Sequence, residues 1–321
     1  MGPRVIVTRR WPEPVERLLA ERFNARLNHD DHRMTRQELA ESLRDFDAVL
    51  TTVGDELPEE ILKGGIRARF IGNFGVGYNH IAIDSAREHG ITVTNTPGVL
   101  TDCTADLAIT LMLMVARRAG QGERELRAGV WKGWCPTHMI GRKVTGRTLG
   151  IVGMGRIGRA TARRAHFGFG MSIIFHNRSR VDDAELRSFR ARQCDTLEEL
   201  LASADVVSLH CPGGDKNRGL IDRTRIAEMR PHSFFINTAR GDVVDEGALI
   251  DALENGCIAG AGLDVFANEA RIPERLKALH NVVLLPHLGS ATEETRVAMG
   301  MKVLQNLTAF YEGREPPDRI T

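Results

Sequence analysis

The chain has no Cys-x-x-Cys pair, although it carries five cysteines in 321 residues. They stand apart at Cys103, Cys135, Cys194, Cys211 and Cys257. An odd, scattered set argues against a disulfide framework or a cysteine-based zinc site, and it suits a reducing compartment. An excess of one charge is missing as well, with 43 Lys and Arg against 42 Asp and Glu. That balance offers no footing for nucleic acid or an anionic membrane. Pairs such as Arg117-Arg118 and Arg163-Arg164 read as solvated helix faces. The longest apolar stretch, 107–116, is too short to span a bilayer. No charged-then-apolar leader opens the chain, and no repeat or low-complexity segment interrupts it. The expectation is a soluble cytoplasmic protein without a metal centre and, at this length, with two domains.

What the chain does have is glycine in a particular setting. Leu149, Ile151 and Val152 form a short apolar run of the kind that makes a buried parallel strand. The run breaks into Gly153-Met154-Gly155-Arg156-Ile157-Gly158 and continues into good helix formers. With 32 glycines in the chain, this spacing could arise by chance. The strand before it, the helix after it and a second apolar run at 172–175 make it a dinucleotide turn. In that reading Gly153 makes the tight turn, Gly155 lets a pyrophosphate approach, and Gly158 lets the helix lie close to the strand. The helix N-terminus then offers N–H groups and a positive dipole end to the phosphates.

Strands and helices alternate on both sides of this turn. Before it, strands are expected at 4–8, 25–27, 48–52, 69–72 and 91–94, with helices at 12–23 and from a Thr35–Glu38 capping box to about Asp45. Pro58 suits another helix start, and a long helix follows over 102–118. From the turn onward, strands are expected at 149–152, 172–175, 206–210, 234–237, 260–264 and 282–285. A second capping box is expected at Thr196. The last helix, 290–312, leaves this unit and returns to pack on the first. Both halves read as parallel sheets covered on both faces.

Ligands in such sheets sit at the C-terminal strand ends. Those ends carry Asn237-Thr238-Ala239-Arg240-Gly241, then Asp264-Val265-Phe266 with Glu269 beyond, then Pro286-His287. An arginine, a glutamate and a histidine brought together can reduce a carbonyl beside a carboxylate. Arg240 would hold the carboxylate, His287 would donate the proton, and Glu269 would stabilise the imidazolium. Singly, each has a plainer reading: a surface salt bridge, a solvated loop and a helix-cap histidine.

The order of these motifs resembles the D-isomer-specific 2-hydroxyacid dehydrogenases over nearly the whole chain, most closely the glyoxylate/hydroxypyruvate reductase branch. The resemblance rests on 72–79, the hinge at 95–101, the turn at 153–158, His210-Cys211-Pro212, 236–241, 262–266 with Glu269, and 285–290. It implies an α/β fold of two doubly wound parallel-sheet domains. One is a discontinuous flavodoxin-like substrate domain, 1–99 and 288–321; the other is a Rossmann dinucleotide-binding domain, 100–287. It implies Arg240, Glu269 and His287 as the catalytic trio, with Val76 and Gly77 binding the substrate carboxylate through backbone N–H groups. The cofactor would lie along Thr104, Gly153 to Gly158 and His210-Cys211-Pro212. It would continue past Thr238, Ala239 and Arg240 to Asp264, His287 and Gly289. The segment 131–139, with Trp134 and Met139, resembles an arm of a homodimer; packing at an interface explains its tryptophans equally well. Related formate dehydrogenases carry glutamine where Glu269 stands, so the carboxylate favours keto-group reduction. Alternatives are another 2-keto acid, such as a keto-sugar acid, and a corepressor-like dinucleotide sensor.

An acid is missing where an NAD site wants one. The strand after the glycine turn ends His176-Asn177-Arg178-Ser179-Arg180, and no carboxylate follows until Asp182. Asn177, Arg178, Ser179 and Arg180 could hydrogen-bond and neutralise a 2′-phosphate. NADP is therefore expected, with NAD as the alternative.

Overall fold

The structure, a computed structural model, describes residues 2–181 and 183–321. Asp182, the first acid after the second strand of the glycine-turn unit, lies outside the described residues. The chain divides into two compact units, one of residues up to Leu100 with Ala291–Thr321, the other Thr101–Ser290.

The first unit holds a parallel sheet of β1 (Val5–Val7), β2 (Ala48–Thr52), β3 (Phe70–Phe74) and β4 (Thr92–Thr94), in that spatial order. Their residues are almost all buried, so the strands show no alternation of buried and exposed positions, as expected of a parallel sheet covered on both faces. The strand expected at 25–27 is instead a single parallel bridge from Arg26 to Ile6. Asn28 explains why. Its amide donates to the Thr8 and His32 carbonyls, both at 2.7 Å, and turns the chain off the sheet edge. With that bridge counted as a reduced strand, the order is the flavodoxin-like 2-1-3-4-5. The start at Pro58 leads only to a 3-10 turn, Glu59–Leu62. The Thr35–Glu38 capping box is formed in both directions. The last helix, Glu293–Tyr311, packs on β3 so closely that a Cβ on Gly72 would sit 2.6 Å from Val303.

The second unit carries β5 (Thr148–Val152), β6 (Ser172–His176), β7 (Arg192–Gln193), β8 (Val206–Leu209), β9 (Phe234–Asn237), β10 (Gly260–Leu263) and β11 (Val282–Leu284). All are parallel, ordered 11-10-9-8-5-6-7. Six strands were expected; the seventh, β7, is a two-residue polar edge with no apolar pattern to reveal it. The sheet is apolar on both sides. Leu149, Ile151 and Ile236 pack with Leu111 and Met112, while Val207, Leu209 and Phe235 pack with Leu200, Leu249 and Leu253. The long helix is Thr101–Ala116, shorter than expected because Arg118 adopts a left-handed φ of 53° before the next helix, Ala119–Arg127. At Thr196 only half of the capping box forms: Glu199 N–H bonds the Thr196 hydroxyl, but the Glu199 carboxylate takes Asp195 N–H at 3.0 Å and pairs with Arg192. Among the described residues no helix is long and apolar enough to cross a membrane, and no cluster of three or more His, Cys, Asp or Glu could hold a metal.

Candidate active site

Strand order reverses between β5 and β8 of the second unit, and the crevice at such a switch point is where a dinucleotide binds. The glycine turn leaves β5 at this place. Gly153 has φ +98°, and a Cβ there would lie 2.7 Å from Cys211 N, so the turn rests directly on the His210–Cys211 backbone. A Cβ at Gly158 would meet the Gly153 carbonyl oxygen at 2.3 Å, whereas nothing lies within 4 Å of the Cβ position at Gly155. Two glycines are therefore closed in by protein and the middle one faces open space, which fits a pyrophosphate at the start of the Arg156–Phe169 helix.

The end of β6 supports the turn. Asn177 Oδ1 accepts the Met154 N–H at 2.7 Å, and Arg178, Ser179 and Arg180 are exposed beyond it. Asp183, the nearest described acid, is engaged elsewhere: it caps Leu186 N–H at 3.0 Å and pairs with Arg159. The capped N–H, with help from Arg159, holds its carboxyl below the usual range. At the end of β8, burial holds the His210 imidazole down to about 3, and its Nε2 lies 2.9 Å from Ser208 Oγ. Burial also pushes the Cys211 thiol up to about 11, with Arg178 opposing. This wall of the crevice is uncharged at neutral pH.

The strand ends bring Arg240, Glu269 and His287, the candidate acid–base residues, into one neighbourhood. At β9, Asn237 Oδ1 accepts Ala239 N–H at 2.9 Å and its amide donates to the Arg240 carbonyl at 3.0 Å, shaping the Thr238–Arg240 turn. Arg240 Nη1 donates to the Ala239 carbonyl at 2.7 Å. Burial lowers the Arg240 pKa, while Glu269 and Asp242 act to raise it. His287 Nδ1 lies 2.8 Å from Glu269 Oε1.

His287 sits in an unusual backbone conformation for a non-glycine residue, φ +55°. Asp264 holds it there. Its carbonyl accepts His287 N–H at 3.0 Å, and its two carboxylate oxygens accept Leu288 N–H and Gly289 N–H at 2.7 and 2.8 Å. Burial raises the Asp264 pKa against those two N–H groups. The Thr104 hydroxyl completes the turn by donating to the Gly289 carbonyl at 3.0 Å. The carboxylate read from sequence as a cofactor contact is thus first a clamp on the histidine turn.

The loop after β3, in the first unit, is shaped by two asparagines that sequence reasoning left aside. Buried Asn73 donates to the Gly75 and Gly77 carbonyls at 3.1 and 3.0 Å, and Asn95 donates to the Val76 carbonyl at 2.8 Å. In a trans peptide the N–H points opposite to the preceding carbonyl, so the Val76 and Gly77 N–H groups turn away from these side chains. The available signal was an asparagine at the end of a strand, two and four residues before Gly75 and Gly77. The 131–139 segment lies in the second unit without helix or strand; Trp131 and Trp134 are exposed, while Met139 is half-buried and packs by Gly122.

Residues 109–289 match the family described as D-isomer specific 2-hydroxyacid dehydrogenase, NAD binding domain. The whole chain is 44% identical to a glyoxylate reductase of Thermococcus litoralis, covering 97% of that protein. Among solved structures, it is similar to an NADPH-dependent glyoxylate/hydroxypyruvate reductase of Sinorhizobium meliloti in complex with NADP and malonate. That match has a TM-score of 0.87 and 35% identity, over 100% of this chain and 97% of that one. A glyoxylate reductase of Paecilomyes thermophila aligns with a TM-score of 0.88 and 32% identity, over 99% and 98% of the two chains. The chain belongs to the D-isomer-specific 2-hydroxyacid dehydrogenases.

Proposed function

We propose that this protein reduces small 2-keto acids, glyoxylate and hydroxypyruvate first among them, to 2-hydroxy acids with NADPH. The observation that carries this reading is the His287 Nδ1–Glu269 Oε1 contact of 2.8 Å, in the same unit as the glycine turn. With Nδ1 held by the carboxylate, Nε2 is the ring atom that donates to substrate. The bound reduced nicotinamide supplies the hydride to the carbonyl carbon. Arg240 binds the substrate carboxylate and polarises the carbonyl, its half-buried charge acting more strongly than it would in open water. His287 passes its Nε2 proton to the carbonyl oxygen as that oxygen gains charge, and Glu269 stabilises the imidazolium before transfer. The backbone N–H groups of Val76 and Gly77 are further donors to the carboxylate in this reading.

The cofactor would lie on the turn from Gly153 to Gly158, with Asn177, Arg178, Ser179 and Arg180 around the 2′-phosphate. Preference for NADP is supported by the lack of an acid at Asn177 and by the engagement of Asp183 with Arg159. The reading extends to a cytoplasmic homodimer, whose interface would cover exposed Leu126, Val130, Trp131, Trp134 and Ile140. The test is loss of NADPH absorbance with a panel of 2-keto acids. Turnover of glyoxylate or hydroxypyruvate is expected; no turnover of any member would overturn the enzyme reading, and a higher kcat/KM with NADH would overturn the NADP preference.

A further inference from the structure

Asp245 caps the helix Glu246–Glu254, its carboxylate accepting Ala248 N–H at 2.9 Å. An acid in the next position would ordinarily need only to face solvent near the positive end of the helix dipole. Glu246 does something else. Its Oε1 accepts the Ala267 N–H at 3.0 Å, across 21 residues of sequence.

Ala267 opens the exposed loop that carries Glu269. The same chain segment touches this loop at a second point. A Cβ on Gly241 would lie 1.9 Å from the Phe266 carbonyl carbon and 2.5 Å from Ala267 N, so the two backbones are in direct contact. Residues 240–246 therefore hold Arg240 at one end and grip the entrance of the Glu269 loop twice. Further along, the loop bonds to itself: Asn268 Oδ1 accepts Ala270 N–H at 3.1 Å, and the Asn268 carbonyl accepts Arg271 N–H at 3.0 Å. The Glu269 side chain is 49% exposed. A half-exposed carboxylate on such a loop has rotamer freedom to lose when it sits on His287, and that cost falls when the loop entrance is held in place.

We propose that Glu246 is a positioning residue: its carboxylate fixes Ala267 so that Glu269 stays on His287 Nδ1 in register with Arg240. The inference rests on the catalytic trio of the proposed function. It requires reach and an acceptor oxygen at position 246, and it does not require charge.

Glu246→Asp keeps a first-turn acid but is too short to reach Ala267, while Glu246→Gln keeps the reach and the acceptor. Each is compared with wild type, alone and in a Glu269→Gln background, by kcat and KM for glyoxylate with NADPH, by NADPH Kd from fluorescence, and by Tm. The expected result is that Glu246→Gln stays within about twofold of wild type. Glu246→Asp should lower kcat about tenfold, the order expected of a small misplacement, with NADPH Kd and Tm unchanged. In the Glu269→Gln background, Glu246→Asp should cost nothing more. An active Glu246→Asp beside an impaired Glu246→Gln would overturn the proposal in favour of a helix-charge role. The same loss from Glu246→Asp in both backgrounds would overturn it too. If Glu269→Gln alone left kcat intact, the trio itself would fall; an impaired Glu269→Gln with a harmless Glu246→Asp would sink only this inference.

Discussion

Asn177 accepts the backbone N–H of Met154 at 2.7 Å, so the residue proposed above to select NADP also closes the glycine turn. Aspartate at this position could accept the same hydrogen bond while placing a negative charge where the proposed reading puts the 2′-phosphate. Asn177→Asp combined with Arg178→Ala should therefore leave the fold intact and move preference toward NADH. The shift in the ratio of kcat/KM values should be at least about tenfold, since a hydrogen bond to a charged group contributes roughly 1.5–3 kcal/mol. An unchanged ratio in steady-state kinetics would remove Asn177 and Arg178 from the cofactor site.

His287→Gln should lower kcat by about 10²–10⁴-fold, the usual range for loss of a general acid. NADPH affinity, measured separately by fluorescence titration, should change little. Parallel losses in turnover and cofactor affinity would instead assign His287 a structural role at the Asp264 clamp.

The three glycines of the turn should separate in their effects. Gly158→Ala drives a methyl into the Gly153 carbonyl, where its Cβ would be only 2.3 Å from the oxygen. Overpacking of this kind typically costs about 1–3 kcal/mol, so Tm should fall. Gly153→Ala should destabilise as well, because its φ is +98° and the Cys211 backbone is in the way. Gly155→Ala meets no protein atom within 4 Å. Thermal melts should show Tm unchanged for Gly155→Ala, while calorimetric titration shows weaker NADPH binding.

Acid stability should depend on His210. Its imidazole is held down to about 3 in the folded protein, against 6.5 as a free side chain. Above that free value both folded and unfolded states leave it neutral. As pH falls below it, the unfolded chain takes up a proton that the fold refuses, and stability is lost progressively toward the folded value. One such group accounts for a slope of up to about 1.4 kcal/mol per pH unit. Urea unfolding between neutral pH and about pH 5 should show a shallower decline for His210→Gln than for wild type. Equal slopes would mean that His210 titrates alike in the folded and unfolded chain.

Trp131 and Trp134, 48% and 82% exposed, should be covered if the protein forms the proposed homodimer. Replacing both with serine should shift the protein toward monomer in sedimentation velocity. A monomeric wild type, or a double variant as dimeric as wild type, would dissociate this arm from assembly.

Much of the fold was legible because its signals are local. Apolar runs of three to five residues, the Thr35–Glu38 box and the Gly-x-Gly-x-x-Gly spacing each act within one element, so β2 and β9 begin and end where the sequence pattern says. Where a segment was misread, a distant partner or a missing pattern decided. Asn28 bends 25–27 off the sheet through Thr8, and β7 has no apolar residue to announce it. In the site, Arg240, Glu269 and His287 could be named from strand ends, since parallel sheets place functional residues there.

By itself, then, the sequence determined two parallel-sheet units, placed a glycine turn at 153–158 between a strand and a helix, and pointed to Arg240, Glu269 and His287 as candidate acid–base residues. Only the tertiary structure decided how those residues are held. Asp264 clamps a left-handed His287 from 23 positions away, Asn73 turns the carbonyls of its loop inward, and Glu246 reaches Ala267. A hydrogen bond depends on distance in space, and residues this far apart in the chain meet only once the sheet has set its strand ends side by side.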